Sequence, residues 1–255
     1  MGAARPLVAI TRPAEQAAGL AELLRARGIE PLVAPAIRRV APASWAPLDR
    51  GIELLGRGHY AGVLFTSPAA VASFADRARR AGARVPAGVL VGAVGEGTAA
   101  ALRAIGLQVD VVPPEGNGEG LAAALIDRLG PRLQGMRFLQ PRAAEGRTEL
   151  SRDLVAAGAR VDVVDAYRTL PATAAELAPL RDALGHHGLS AIVFASPSAV
   201  RAVHEALGPI PDLPSVAIGG TTAVALQAAG YRRIHVAASP DDEALCRAVL
   251  EALGR

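Results

Sequence analysis

The chain writes one strand-to-helix corner twice. Residues 63–71 read VLFTSPAAV and residues 192–200 read IVFASPSAV, 192 − 63 = 129 positions apart. The likeness extends to both sides, in the same order. ITRPAEQAAGLAELLRARG aligns with LQPRAAEGRTELSRDLVAAG, which sets Arg12 on Arg142, Glu15 on Glu145, Leu20 on Leu150 and Gly28 on Gly158, each 142 − 12 = 130 apart. VGEGTAAALRAIG (94–106) then aligns with IGGTTAVALQAAG (218–230), at 218 − 94 = 124. An ordered repeat of this kind reads as an internal duplication over nearly the whole chain. Whatever architecture one copy adopts, the other must adopt as well.

Each copy alternates short apolar runs with alanine- and leucine-rich helical stretches. In the first copy the candidate strands are 7–11, 31–35, 62–66, 89–94 and 109–113. The stretch 14–28 between the first two puts Ala17, Leu20, Leu23 and Leu24 on one helical face and stops at Gly28. Strands of four to six residues alternating with helices of ten to fifteen predict βαβ units and parallel sheets. The expected fold class is therefore α/β, with two flavodoxin-like lobes of parallel sheet, five βα steps in each copy. The chain divides in one of two ways. A cut near 129–135 separates the copies. Alternatively the first βα unit of copy one joins the last four of copy two. The segments APAIRRVAP (34–42) and VDAYRTLPA (164–172) are extended and proline-flanked at equivalent positions. They fit two strands crossing side by side between lobes.

Composition closes off several function classes. The 255 residues are 51% hydrophobic and 20% charged, which is globular rather than disordered. Every positive side chain other than histidine is arginine; lysine is absent. Lysine Schiff-base chemistry and a Walker-type Gly-Lys-Ser/Thr loop are thereby excluded. Guanidinium groups suit carboxylates and phosphates. For the bulk of them, a GC-rich coding bias is the simpler account. Net charge is +3 with a pI near 9.7, but aromatics make up only 3%, so nucleic-acid binding has little support. One cysteine, Cys246, precludes an intramolecular disulfide and fits a reducing compartment. Apolar runs are too short for a membrane helix, and the N-terminus has no secretory pattern. Pro6 stands where a myristoylation motif starting at Met1-Gly2 needs Ser or Thr. A cytoplasmic location is expected.

Ligands of parallel α/β sheets bind beyond the carboxyl ends of the strands. Thr11-Arg12-Pro13 closes the first strand, and Thr66-Ser67-Pro68 and Ala195-Ser196-Pro197 close the third strand of each copy. Gly95-Glu96-Gly97-Thr98 and Gly219-Gly220-Thr221-Thr222 close the fourth. Ser followed by Pro is an N-cap and first helical residue. The same exposed helix starts can hold anions through backbone N–H groups. Gly95-x-Gly97-x-x-Ala100 imitates a dinucleotide fingerprint on the wrong βα unit, so its glycines are assigned to close helix–strand packing. The histidines (59, 186, 187, 204 and 235) are scattered, which predicts no metal site, and His186-His187 is expected to end a solvated helix. No G-x-S-x-G elbow and no pair of catalytic carboxylates stand out. Tyr167 lies in the second crossing segment, where copy one has Ile37. It either packs a hinge or offers a hydroxyl as proton donor.

Taken together, TRP after the first strand, FTSPAAV, AVGEGTAAAL, QPRAAEGRTEL, FASPSAV and AIGGTTAVAL resemble the uroporphyrinogen-III synthase family, in family order. The resemblance implies two lobes joined by a two-stranded linker, lobe 1 from 1–36 plus 170–255 and lobe 2 from 41–165, with linkers at 37–40 and 166–169. It implies cyclisation of linear hydroxymethylbilane with inversion of the last pyrrole, through a spiro intermediate and with loss of water. No metal or organic cofactor is implied. The partners would be a polycarboxylate tetrapyrrole and, in transient handover, hydroxymethylbilane synthase. Neither nucleic acid nor membrane is expected, and a monomer is the default. Tyr167 matches the family tyrosine that assists departure of the hydroxyl. Arg12, Thr66, Ser67, Thr98, Arg142, Ser196 and Thr222 fall at substrate-facing corners. Ala195 departs from the family's usual threonine and is left out. The competing class is a non-catalytic ligand-sensing or anion-binding two-lobed module of the same fold. A nucleotide or sugar-phosphate binder is disfavoured by the missing phosphate motifs.

Overall fold

A computed structural model describes residues 5–186 and 188–255. Two compact units result: residues up to Arg38 with Leu170–Arg255, and Arg39–Thr169. In chain order the first contributes β1 (Leu7–Ile10), α1 (Ala14–Ala26) and β2 (Glu30–Val33). The chain then runs through β3 (Ile37–Val40), α2 (Ala46–Gly56), β4 (Gly62–Phe65), α3 (Pro68–Arg80), β5 (Leu90–Ala93), α4 (Glu96–Ala104) and α5 (Gly118–Leu129). Next come β6 (Arg137–Ala143), α6 (Glu149–Ala156) and β7 (Arg160–Pro171). Finally α7 (Ala178–His186), β8 (Leu189–Phe194), α8 (Pro197–Leu207), β9 (Ser215–Ala217), α9 (Gly220–Ala228), β10 (Ile234–Val236) and α10 (Asp242–Ala252) return to the first unit. The expected end of a helix at His186-His187 is met by α7 at His186; His187 and Met1-Gly2 lie outside the described residues.

The sheet orders are β10-β9-β8-β1-β2 and β3-β7-β6-β4-β5. β1 pairs in parallel with both β2 and β8, and β6 with β7 and β4. Numbered by position in the repeat, the first sheet reads 5-4-3-1-2, the flavodoxin-like order. Its strands 1 and 2 come from copy one and its strands 3 to 5 from copy two. In the second unit β6 and β7 are strands 1 and 2 of copy two, and β4 and β5 are strands 3 and 4 of copy one. The segment that joins the later part of the chain in this unit is β1–α1–β2, one strand more than a single βα unit. β2 pairs with β1 alone and has to travel with it.

The period-two alternation of β1 explains how both faces are covered. Val8 and Ile10 pack with α1 and α10, while Ala9 packs on the opposite face with α7, α8 and α9. The second unit follows the same plan. Val63 and Phe65 meet α2, α3 and α4, and Leu64 meets α5 and α6. Gly28 and Gly158 both end their helices at positive φ, 73° and 94°, where a side chain would be strained.

Two expectations change. The segment 109–113 is not a strand; it is reduced to a bridge between Gly92 and Val111. The Asp110 carboxylate takes the Val91 N–H at 2.8 Å, so a side chain occupies a ladder position that a carbonyl would fill. The fingerprint glycines do not serve close packing either. A Cβ on Gly97 or Gly219 would meet nothing within 4 Å, and one on Gly95 would sit 3.5 Å from Gly116 Cα, an ordinary contact. At neither corner does crowding require a glycine.

Candidate active site

In a doubly wound sheet the natural cavity lies where strand order reverses, beside strand 1 of the repeat. In the second unit that is the gap between β6 and β4, and two local features widen it. In the other unit Thr11 donates to the Val193 carbonyl from its backbone N–H (3.1 Å) and again from Oγ1 (2.8 Å), closing β1 onto β8. Its repeat counterpart is Pro141, which has neither donor. Ladder pairing of β6 with β4 stops at Leu139–Val63. The second feature is helix length. α1 has 13 residues and α6 has 8, with equivalent ends, so α6 lacks its first five residues and 144–148 form a loop instead.

A cavity of about 360 Å³ occupies this place. Its walls come from the ends of β4 (Thr66, Ser67) and β6 (Ala143), the 144–148 loop (Gly146, Arg147) and Tyr167. The starts of α5 and α6, including Asn117 and Glu149, complete it. Ligand sites run from about 300 to 1,000 Å³. This one admits part of a large ligand.

Ser67 is an N-cap: its Oγ accepts the Ala70 N–H at 3.2 Å, with Pro68 in the first helical turn. The same hydroxyl lies 3.1 Å from the Tyr167 hydroxyl. Tyr167 reaches it because β7 is irregular. Arg142 pairs with Asp165 but Ala143 pairs with Tyr167, so one residue is skipped. Tyr167 then packs on the cluster that also holds Val164 and Ala166, the α3 side of the sheet. A bulge re-aims a side chain in this way. Asn117, the sole asparagine, caps α5 by accepting the Gly120 N–H at 2.8 Å. The starts of α3, α5 and α6 converge on the cavity, and their N–H groups favour anionic ligand groups. Glu119 and Glu149 stand in the same first turns.

Thr66, Ser67 and Tyr167 thus line one cavity. Arg142 does not line it, but its Nη1 donates to the carbonyls of two wall residues, Gly146 and, at 2.8 Å, Arg147. Thr98 does not line the cavity; it is 4% exposed in the first turn of α4. Three candidates belong to the other unit. Ser196 caps α8 through the Ala199 N–H (3.2 Å) and lies 2.9 Å from the Ser198 hydroxyl. Thr222 is buried in the first turn of α9. Arg12 offers no free guanidinium, because it is buried and paired with Asp242 at 2.6 Å. Asn117, Glu119 and Glu149 were not singled out from sequence, although a lone asparagine three residues ahead of Gly120 is a readable cap. Among the described residues no cluster of His, Cys, Asp and Glu could hold a metal, and no helix is long and apolar enough to cross a membrane.

Comparison with known proteins agrees across the chain. The family model for uroporphyrinogen-III synthase HemD matches residues 18–247. A Methanothermobacter thermautotrophicus protein, provisionally named uroporphyrinogen-III synthase, is 33% identical over 79% of this chain and 78% of its own. The Chlorobaculum parvum uroporphyrinogen-III synthase is 27% identical over 96% of this chain and 98% of its own. A solved structure of a mutant uroporphyrinogen III synthase from Thermus thermophilus shares the fold, with a TM-score of 0.64 at 20% identity over 98% of this chain and 99% of that one.

Proposed function

Because the chain belongs to the uroporphyrinogen-III synthase family, we propose that the cavity beside Ser67 and Tyr167 is where its substrate is cyclised. The protein is an enzyme of tetrapyrrole biosynthesis, converting linear hydroxymethylbilane to uroporphyrinogen III. The substrate carries acetate and propionate groups on every ring. Its terminal carbinol is activated by the adjacent pyrrole nitrogen, whose lone pair expels the hydroxyl and leaves a reactive azafulvene.

Tyr167 donates a proton as the C–O bond breaks, so that water departs. Ser67, 3.1 Å away, fixes the direction of that hydroxyl. The phenol is then restored by a proton from solvent or from the pyrrole carbon that loses one on ring closure. The azafulvene is electrophilic without further help, so the remaining task is conformational. The last pyrrole must be held where its substituted carbon attacks to give the spiro intermediate, which reopens and closes inverted. Helix-start N–H groups on α3, α5 and α6 hold the acid side chains during this step. Thr98, Ser196, Thr222 and Arg12 then serve by shaping helix starts more than by touching substrate. We also read the two exchanged sheets as products of duplication of one five-stranded unit, and handover from hydroxymethylbilane synthase as the source of a short-lived substrate.

The observation that carries this reading is the hydroxyl pair at the wall of a helix-start cavity. The test is isomer analysis. Hydroxymethylbilane incubated alone closes to the type I isomer; with the protein, the oxidised products should be mainly type III. Dominant type I product with active-concentration protein would favour the non-catalytic alternative.

A further inference from the structure

Arg12 and Arg142 are equivalent in the repeat, yet they have different partners. Arg12 pairs with Asp242 at 2.6 Å. Asp242 is the first residue of α10, directly after the N-cap Asp241, whose side chain accepts the Ala244 N–H. Its other oxygen fits against α1 because position 19 is glycine; a Cβ there would come within 2.4 Å of Asp242 Oδ2. The corresponding helix start is α5, where Asn117 is the N-cap and Gly118 the first residue, 242 − 118 = 124 positions earlier. That offset is the one already seen between 94–106 and 218–230. Asp242 therefore corresponds to Gly118.

The local geometry agrees. A Cβ built on Gly118 would lie 3.4 Å from the Leu150 backbone nitrogen. Leu150 is the counterpart of Leu20, the neighbour of Gly19. A carboxylate at 118 would thus stand against α6 as Asp242 stands against α1. This chain has no side chain at that position, and the place is part of the cavity wall. Arg142 has turned Nη1 onto the carbonyls of Gly146 and Arg147, and its buried Nε has no hydrogen-bond partner among the described residues. A half-buried guanidinium holding carbonyls alone is poorly matched, since a carboxylate is its natural planar partner.

We propose that the place which Asp242 fills beside Arg12 is kept open by Gly118, beside Arg142, to receive a carboxylate of the substrate. One unit carries the acid in its own chain; the other borrows it from the ligand. Resting on the synthase reading above, the inference adds a polar anchor that would fix one acetate or propionate near Tyr167. The α6 first turn, whose N-cap Thr148 makes no side-chain cap bond, supplies N–H groups on the other side of that carboxylate.

The test supplies the acid in the chain. Gly118→Asp should fill the place and raise KM for hydroxymethylbilane about tenfold or more, the scale of one charge-assisted hydrogen bond, with a smaller effect on kcat. Gly118→Asn, equal in size but uncharged, should raise it much less. A second readout needs no turnover. Gly118→Asp should melt higher than Gly118→Asn, and that difference should vanish in an Arg142→Gln background. Equal KM values for the Asp and Asn variants, or equal melting with Arg142 present, would overturn the proposal. Wild-type isomer analysis reports separately on the synthase reading, so the two failures are distinguishable.

Discussion

The hydroxyls of Ser67 and Tyr167 lie 3.1 Å apart, although the residues stand 100 positions from one another in the chain. The pair separates a structural role from a chemical one within a single side chain. Tyr167→Phe should slow type III formation by about 10²-fold, the lower end of general-acid contributions, and leave thermal unfolding nearly unchanged. Ser67→Ala should cost about 1 kcal/mol of stability through loss of the cap and slow turnover as well. Ser67→Asn, which can still cap, should recover the stability without recovering the rate. Steady-state isomer assays beside thermal melts read both quantities.

The Arg12–Asp242 pair should prove structural. Asp242→Ala leaves a buried guanidinium without its carboxylate. Fully buried pairs lose about 3–5 kcal/mol when one partner is removed. Asp242 keeps a third of its side chain exposed, so about 1–3 kcal/mol is expected here. Arg12→Met combined with Asp242→Ala should regain most of it in urea unfolding.

Gln140 is fully buried on β6, and neither its amide oxygen nor its nitrogen finds a partner among the described residues. The equivalent residue of β1 is Ile10. Gln140→Leu should therefore stabilise the protein by about 1–2 kcal/mol, since it removes two unsatisfied polar atoms at near-constant volume. A rise in the urea midpoint at constant m-value is the expected result. A fall would mean that the amide is satisfied by bound water.

Burial pushes the Tyr231 hydroxyl up to about 12. The unfolded residue ionises near 10, so only the unfolded chain gives up this proton as pH rises past that value. The contribution is complete below pH about 10 and is lost progressively as pH climbs toward 12. Tyr60 behaves alike: desolvation raises it first, and its hydrogen bond to Asp162 raises it further. Alkaline unfolding followed through phenolate absorbance should show these two ionising late, and Tyr231→Phe should flatten the pH dependence of stability.

Features fixed within a few residues were readable in advance. The Ser67 and Ser196 caps and the glycine stops at Gly28 and Gly158 each depend on local backbone geometry. Parallel sheets also followed, because strand and helix periods are local. What escaped depends on distant partners. Arg12 looked available for ligand until a carboxylate 230 residues away claimed it. Thr98 and Thr222 looked like open corner hydroxyls, yet both turn into packed helix starts. The reach of Tyr167 depends on one skipped residue in the β7 register. Segment 109–113 has good strand composition, but its own Asp110 carboxylate competes for the ladder.

The pairing of β1 with β8 also sets an order in time. β1 finds its inner neighbour only when β8 exists, and 189 − 10 = 179 residues separate the end of one from the start of the other. At ribosomal speeds of about 5–20 residues per second that is a wait of roughly 10–40 s. Residues 37–171 can assemble their whole sheet in that interval, while β1 has β2 on one side and its other edge bare. β1 is thus completed long after it is made, and the nascent protein must keep that bare strand edge from aggregating until β8 arrives.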